Sequence, residues 1–193
     1  MVQRSLEGLR VAVLVSDGFE QVELDKPVEG LREAGATVHV LAEDQEHLER
    51  IRGVNHLDPA EGTKGDKVLE EVSPEDYDAL YIPGGLPSPD TMRSSEAHLR
   101  FARAFMEAGK PVAAMCHGPW VLADAEVLEG KRVASWEAIR RDLERAGATW
   151  VDEPVVKDGN LLTSRKPDDL DQYVPALLKH VAQAGKPLPP GQR

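Results

Sequence analysis

Lys110-Pro111-Val112-Ala113-Ala114-Met115-Cys116-His117-Gly118-Pro119-Trp120 runs a short apolar segment into the chain's only cysteine, with histidine, glycine and proline directly behind it. Small residues flank the cysteine two positions away on either side, Ala114 and Gly118. That is the spacing of a nucleophile elbow, with Cys in the place of Ser. A side chain presented on a sharp strand-to-helix turn sits at strained backbone angles, and its close neighbours must be small. Pro119 suits the first turn of the helix that follows, where its missing N–H is not needed. The N-terminus of that helix aims orphan N–H groups and a partial positive charge at the sulfur, which favours thiolate. A lone cysteine after an apolar run is more often a buried small hydrophobe; the Ala-Met-Cys-His-Gly-Pro context outweighs that reading here. His117 is either the general base or a residue packed beside the sulfur, and the sequence permits both.

Working outward, strands alternate with helices. Leu9–Val15, apolar except for Arg10, is a run of the kind buried on both faces of a parallel sheet. Ser16–Glu20 is the turn at its end. A helix follows through Val22, Leu24, Val28 and Leu31 to Gly35, with a kink or late start expected at Pro27. Thr37–Ala42 then closes a right-handed strand–helix–strand unit. Residues 43–63 are charged and nearly aperiodic and predict a surface loop or short hairpin. Lys67–Leu69 reads as a short edge strand and Asp78–Ile82 as another buried strand. The latter ends in Pro83-Gly84-Gly85, whose glycines let backbone N–H groups approach a ligand or an oxyanion. A loop to Asp90 and a helix capped by Ser94 or Ser95 lead back to the elbow. Beyond it come a helix over Val121–Leu128, a strand end at Lys131–Trp136, a helix over Glu137–Ala146 and a hairpin over Pro154–Ser164. The last helix spans about 167–184, and 186–193 reads as a disordered tail.

The pattern predicts a single α/β domain over 1–185. Its form is a three-layer sandwich with a mostly parallel sheet and helices on both faces. Ligands then belong at the carboxyl ends of the strands. Three pieces fall there: the turn with Glu20 and Glu23, the Gly84-Gly85 turn, and Cys116.

The 193 residues are 41% hydrophobic and carry a net charge of −11, with no basic cluster to meet nucleic acid. No apolar run is long enough to span a bilayer and no secretory leader opens the chain, so a cytoplasmic protein is expected. One cysteine excludes an internal disulfide, and the six scattered histidines show no metal-ligand spacing. No cofactor and no metal are expected.

Asp17-Gly18-Phe19-Glu20-Gln21-Val22-Glu23-Leu24, Ile82-Pro83-Gly84-Gly85, Ala114-Met115-Cys116-His117-Gly118-Pro119 and Asp158-Gly159-Asn160-Leu161-Leu162-Thr163-Ser164-Arg165 together resemble one family. It is that of the PfpI-type intracellular proteases and stress proteins, relatives of the parkinsonism-associated deglycase, which share a flavodoxin-like core with class I glutamine amidotransferases. The resemblance runs from Val11 to about Val181. It implies that Cys116 is the nucleophile, that Glu23 hydrogen-bonds its sulfur, and that Glu20 is a second acid at the rim. It also implies an active-site role for His117 and an oxyanion hole formed by the N–H groups of Gly85 and His117. In protease-like members a carboxylate from a neighbouring subunit completes a Cys-His-acid triad; this chain offers Asp90 there, on a loop one residue longer. Trp136 stands where many members carry a tyrosine. Buried beside sulfur, Glu23 is expected to hold its proton and donate a hydrogen bond to a thiolate.

The resemblance implies a stress-response, cysteine-dependent hydrolase, with glyoxalase or protein-deglycase chemistry on reactive carbonyl adducts as the leading expectation. An intracellular cysteine peptidase and a non-enzymatic oxidative-stress sensor or chaperone, acting through oxidation of Cys116, are the alternatives. The expected substrate is a small carbonyl compound or a peptide, and the expected assembly a homodimer or hexamer.

Overall fold

The computed structural model describes residues 5–184, so the tail expectation for 186–193 lies outside the described residues. A seven-stranded sheet forms the middle layer. Its strands are β1 Arg10–Leu14, β2 Thr37–Ala42, β3 Lys67–Val68, β4 Ala79–Ile82, β5 Val112–Met115, β6 Val155–Asp158 and β7 Leu161–Ser164, in the spatial order β6-β7-β5-β4-β1-β2-β3. Every neighbouring pair is parallel except the β6–β7 hairpin at one edge. This is the mixed α/β fold that the alternation of strands and helices implies.

Side chains of a strand alternate between faces, and this sheet uses both. Val11 and Val13 of β1 join one apolar cluster, and Ala12 and Leu14 join the other. Helices α1 Gln21–Glu33 and α7 Leu170–Val181 pack on the first face through Leu24, Leu31, Tyr173 and Leu177. On the second lie α3 Pro87–Arg93, α4 Glu96–Glu107, α5 Pro119–Asp124 and α6 Arg140–Arg145, through Met92, Phe105, Leu122 and Leu143. Each such side chain, fully buried, contributes about 1.5–3 kcal/mol against the entropy of ordering the chain. The short α2 Gln45–Glu49 buries nothing. Among the described residues no helix is long and apolar enough to cross a membrane.

The crossovers from β1 proceed outward through β2 and β3, then return to β4 on the other side of β1. Strand order therefore reverses between β1 and β4, and the carboxyl ends of β1, β4 and β5 meet at that switch point.

Three local expectations are corrected. Pro27 neither starts nor breaks α1, which runs continuously through it from Gln21. Proline has no N–H for the carbonyl four residues back, that of Glu23; the buried Tyr81 hydroxyl donates to this oxygen instead. Second, Asp90 is not on a loop. Pro87 supplies a ready-made helical φ at the first turn of α3, and Asp90 lies on that helix. Third, only Arg132–Val133 of the 131–136 segment is strand, and it pairs with Thr149–Trp150 outside the main sheet.

Residues 43–63 form α2 and a small hairpin, Gly53–Asn55 against Asp58–Pro59. The hairpin pairs in parallel with Phe19–Glu20, making a second, three-stranded sheet at the end of β1. Ile51 is fully buried beneath it.

Candidate active site

Cys116 follows β5 with φ +57°, a left-handed conformation that a side chain adopts only when its surroundings impose it. The surroundings are visible. The Cys116 N–H donates to the Ser164 carbonyl of β7 at 3.1 Å, and the Cys116 carbonyl accepts the Trp136 N–H at 2.9 Å. Gly118 closes the turn onto the Met115 carbonyl at 2.8 Å; a Cβ there would lie 2.6 Å from the Ile82 oxygen. Gly118 is thus small for the reason the elbow spacing implies.

Glu23 sits in the first turn of α1 and is fully buried. Its Oε2 accepts the Gly84 N–H at 2.8 Å, and its carboxyl lies against the sulfur. Burial pushes its pKa from 4.5 up to about 8. The helix N-terminus favours the ionised form by at most about 2 kcal/mol, and desolvation outweighs it. Glu23 therefore carries a proton at neutral pH.

Burial also pushes the Cys116 thiol up, and negative charge on Glu23 adds to this, while the N–H groups of Gly85 and His117 at the sulfur pull it down. A protonated Glu23 removes the repulsion and supplies an O–H donor. The two groups titrate as a pair. Cys116 is only 6% exposed, so it is buried rather than held out in solvent.

The Gly84-Gly85 turn admits no larger residue. A Cβ on Gly84 would lie 2.5 Å from both Cys116 Cβ and Glu23 Oε2. Gly85 has φ +87°, and a Cβ there would lie 2.5 Å from the Glu20 nitrogen.

His117 is held against the sulfur, Nδ1 to Sγ 3.3 Å. Its ring stacks on Trp136 with centroids 5.9 Å apart and lies 5.3 Å from Trp120. Burial lowers its pKa to about 4, so the imidazole is neutral at pH 7. Trp136 also edges a groove of about 270 Å³ lined by Trp150, Glu137, Asp152, Arg165 and Lys166.

Glu20 is buried at the end of β1, its N–H on the Gly84 carbonyl at 3.1 Å. The fold thus gathers Cys116, His117, Glu23, Glu20, Gly84, Gly85 and Trp136 at the switch point. Asp90 does not join them: it is exposed on α3, and among the described residues no hydrogen bond or ion pair links it to that group.

Two contributors were missed in the sequence. Tyr81 holds the Glu23 main chain from beneath, and its signal was Pro27, four residues after Glu23. His56, at the hairpin tip, donates its backbone N–H to Glu20 Oε2 at 2.9 Å. No local pattern marks that contact across 36 residues.

A family model described as the DJ-1/PfpI family matches residues 9–180. A Bacillus subtilis protein named "Putative cysteine protease YraA" is 44% identical over 164 residues, 85% of this chain and 93% of that protein. A protein of Pyrococcus abyssi named a deglycase is 39% identical over 171 residues, covering 89% of this chain and 98% of its own length. A two-domain crystal structure from Anabaena variabilis, with DJ-1/ThiJ/PfpI-like and ferritin-like domains, superimposes with a TM-score of 0.82 at 39% identity. It covers 94% of this chain, which spans half of that one. Fold and sequence agree that the chain belongs to the DJ-1/PfpI family.

Proposed function

We propose that this protein is a cysteine-dependent hydrolase that removes reactive carbonyl adducts, by glyoxalase or protein-deglycase chemistry, with Cys116 as nucleophile. The carrying observation is the Glu23–Cys116 pair on the strained elbow. Glu23 keeps its proton and donates a hydrogen bond to the thiolate, which adds to the electrophilic carbon of the adduct. The oxygen that gains charge is met by the Gly85 and His117 N–H groups, now aimed at the sulfur. The groove beside Trp136 gives room for a substrate larger than the adduct itself. A relative named a deglycase supports the same reading.

The test is turnover of methylglyoxal, and of methylglyoxal-treated N-acetyl-arginine, by wild type and Cys116→Ala, corrected for trapping of the aldehyde by buffer. Loss in the variant supports the reading; equal rates overturn it.

A peptidase is the second reading. The 3.3 Å contact between Sγ and His117 Nδ1 favours it, as does the name of the Bacillus subtilis relative. Asp90 of a neighbouring copy would complete the triad, so a monomer as active as the oligomer overturns it. A cytoplasmic homo-oligomer acting under carbonyl or oxidative stress is part of this proposal and rests on the family resemblance.

A further inference from the structure

Glu23 is the acid that meets the sulfur, so whatever fixes Glu23 also bears on the thiol. It stands in the first turn of α1, with no helical turn before it. The Gly84 N–H anchors its carboxyl at Oε2, and Oε1 has no hydrogen-bond partner among the described residues. A single bond at one oxygen leaves the aim of the carboxyl to the main chain behind it.

That main chain is held in an uncommon way. In an α-helix the Glu23 carbonyl would accept the N–H of residue 27. Residue 27 is proline, which has no N–H and whose ring crowds the carbonyl four residues back. The Tyr81 hydroxyl donates to this oxygen instead. Tyr81 is fully buried in β4, three residues before Gly84. One strand and the turn that ends it therefore grip Glu23 twice, at its carbonyl through Tyr81 and at its carboxyl through Gly84. The mount is rigid, because β4 is paired on one side with β1 and on the other with β5, which leads into Cys116. The Tyr81 ring is itself wedged against Tyr173 of α7, centroids 6.3 Å apart.

The phenol does not act by charge. Of the titratable groups near the sulfur, Glu23 faces it from α1, His117 from the elbow, Tyr81 from β4 and Tyr173 from α7, while Glu20 adds its charge to Glu23 from the end of β1. Burial pushes both phenols well above their usual range, and His117 is neutral at pH 7. Removing the Tyr81 hydroxyl thus leaves the local charges as they were, and it reaches the sulfur only by moving Glu23.

We propose that Tyr81 is a positioning residue of this site: by pairing the carbonyl that Pro27 leaves without an N–H, it holds Glu23 where the carboxyl meets the Cys116 sulfur. This rests on Glu23 acting as hydrogen-bond donor to Cys116. The reactivity of the thiol then depends on a hydroxyl whose own bond goes to the main chain of α1.

The pH profile of Cys116 alkylation by iodoacetamide tests this on the whole protein. Tyr81→Phe keeps the ring and its packing on Tyr173 and removes the bond. It should slow alkylation at pH 7 about 3–10-fold, a part of the loss expected when a donor to a charged group is removed, and move the profile to higher pH. Pro27→Ala returns an N–H to position 27; a carbonyl has two lone pairs, so this change alone should alter the rate less than about twofold. Added to Tyr81→Phe, it gives the orphaned carbonyl a helical partner and should bring the rate back to within about twofold of wild type. A merely structural role would lower the denaturation midpoint of Tyr81→Phe and leave the profile in place. An unmoved profile in Tyr81→Phe, or equal slowing with and without Pro27→Ala, overturns the proposal. If Glu23→Leu does not slow alkylation, the donor reading falls and this proposal with it; slowing in Glu23→Leu but none in Tyr81→Phe overturns the role of Tyr81 alone.

Discussion

Replacing Glu23 with Gln converts a claim about a proton into a measurable slope. The folded-state pKa of Glu23 is raised from 4.5 to about 8 because the carboxyl is wholly out of water. At about 1.4 kcal/mol per pH unit, that rise corresponds to about 5 kcal/mol. The sign follows from which state binds the proton more tightly. The native state does, so the favourable contribution is complete below pH 4.5 and is lost as pH rises through about 8. Gln has nearly the shape of the protonated acid and no charge to bury. The assay is urea unfolding at intervals from pH 4.5 to 8, with and without Glu23→Gln, both proteins carrying Cys116→Ser so that no thiol titrates. The Gln protein should gain on the Glu protein by several kcal/mol, up to about 5, between the two ends. The lowered pKa values of His98 and His180 bend both curves alike and cancel in the difference. A difference that changes by less than about 1 kcal/mol over the range would show an ionised Glu23 and refute the reasoning.

Gly84→Ala places a methyl 2.5 Å from Cys116 Cβ and Glu23 Oε2; it should cost about 1–3 kcal/mol by overpacking and slow alkylation of Cys116 by iodoacetamide at least tenfold. Tyr81→Phe leaves the Glu23 carbonyl beneath Pro27 without its donor, and denaturant unfolding should report a loss of about 1–3 kcal/mol. His98 is buried, and burial lowers its pKa from 6.5 to about 4. Its contribution of roughly 3 kcal/mol is therefore present above pH 6.5 and lost as pH falls through 4. His98→Leu should flatten that part of the acid-unfolding curve, read by circular dichroism.

What the sequence made legible was whatever is local. The elbow could be read because strand, strained cysteine, glycine and helix-starting proline are consecutive, and the structure has Cys116 at φ +57° with Gly118 against the Ile82 oxygen. The strands could be read because burial on both faces leaves continuous apolar runs such as Val11–Val15, all fully buried. Glu20 and Glu23 could be placed because a helix begins between them. Three features were hidden for physical reasons. Pro27 argued against a continuous helix because its local cost is visible, whereas the compensating Tyr81 hydroxyl comes from a strand 54 residues later. The helix at Pro87–Arg93 follows so closely on the glycine turn that turn residues masked its start. The 43–63 segment looked aperiodic because its order comes from pairing with residues 17–21 rather than from a face of its own.

The central claim is that Glu23 reaches the sulfur as a neutral donor, and the sign of one effect decides it. Glu23→Leu removes donor and charge together, and alkylation of Cys116 by iodoacetamide at pH 7 reads the thiolate. A hydrogen bond to a charged group is worth about 1.5–3 kcal/mol, so loss of a neutral donor should raise the thiol pKa by one to two pH units and slow alkylation about 10–100-fold. Faster alkylation in Glu23→Leu would mean that a carboxylate had been suppressing the thiolate, and would contradict the account.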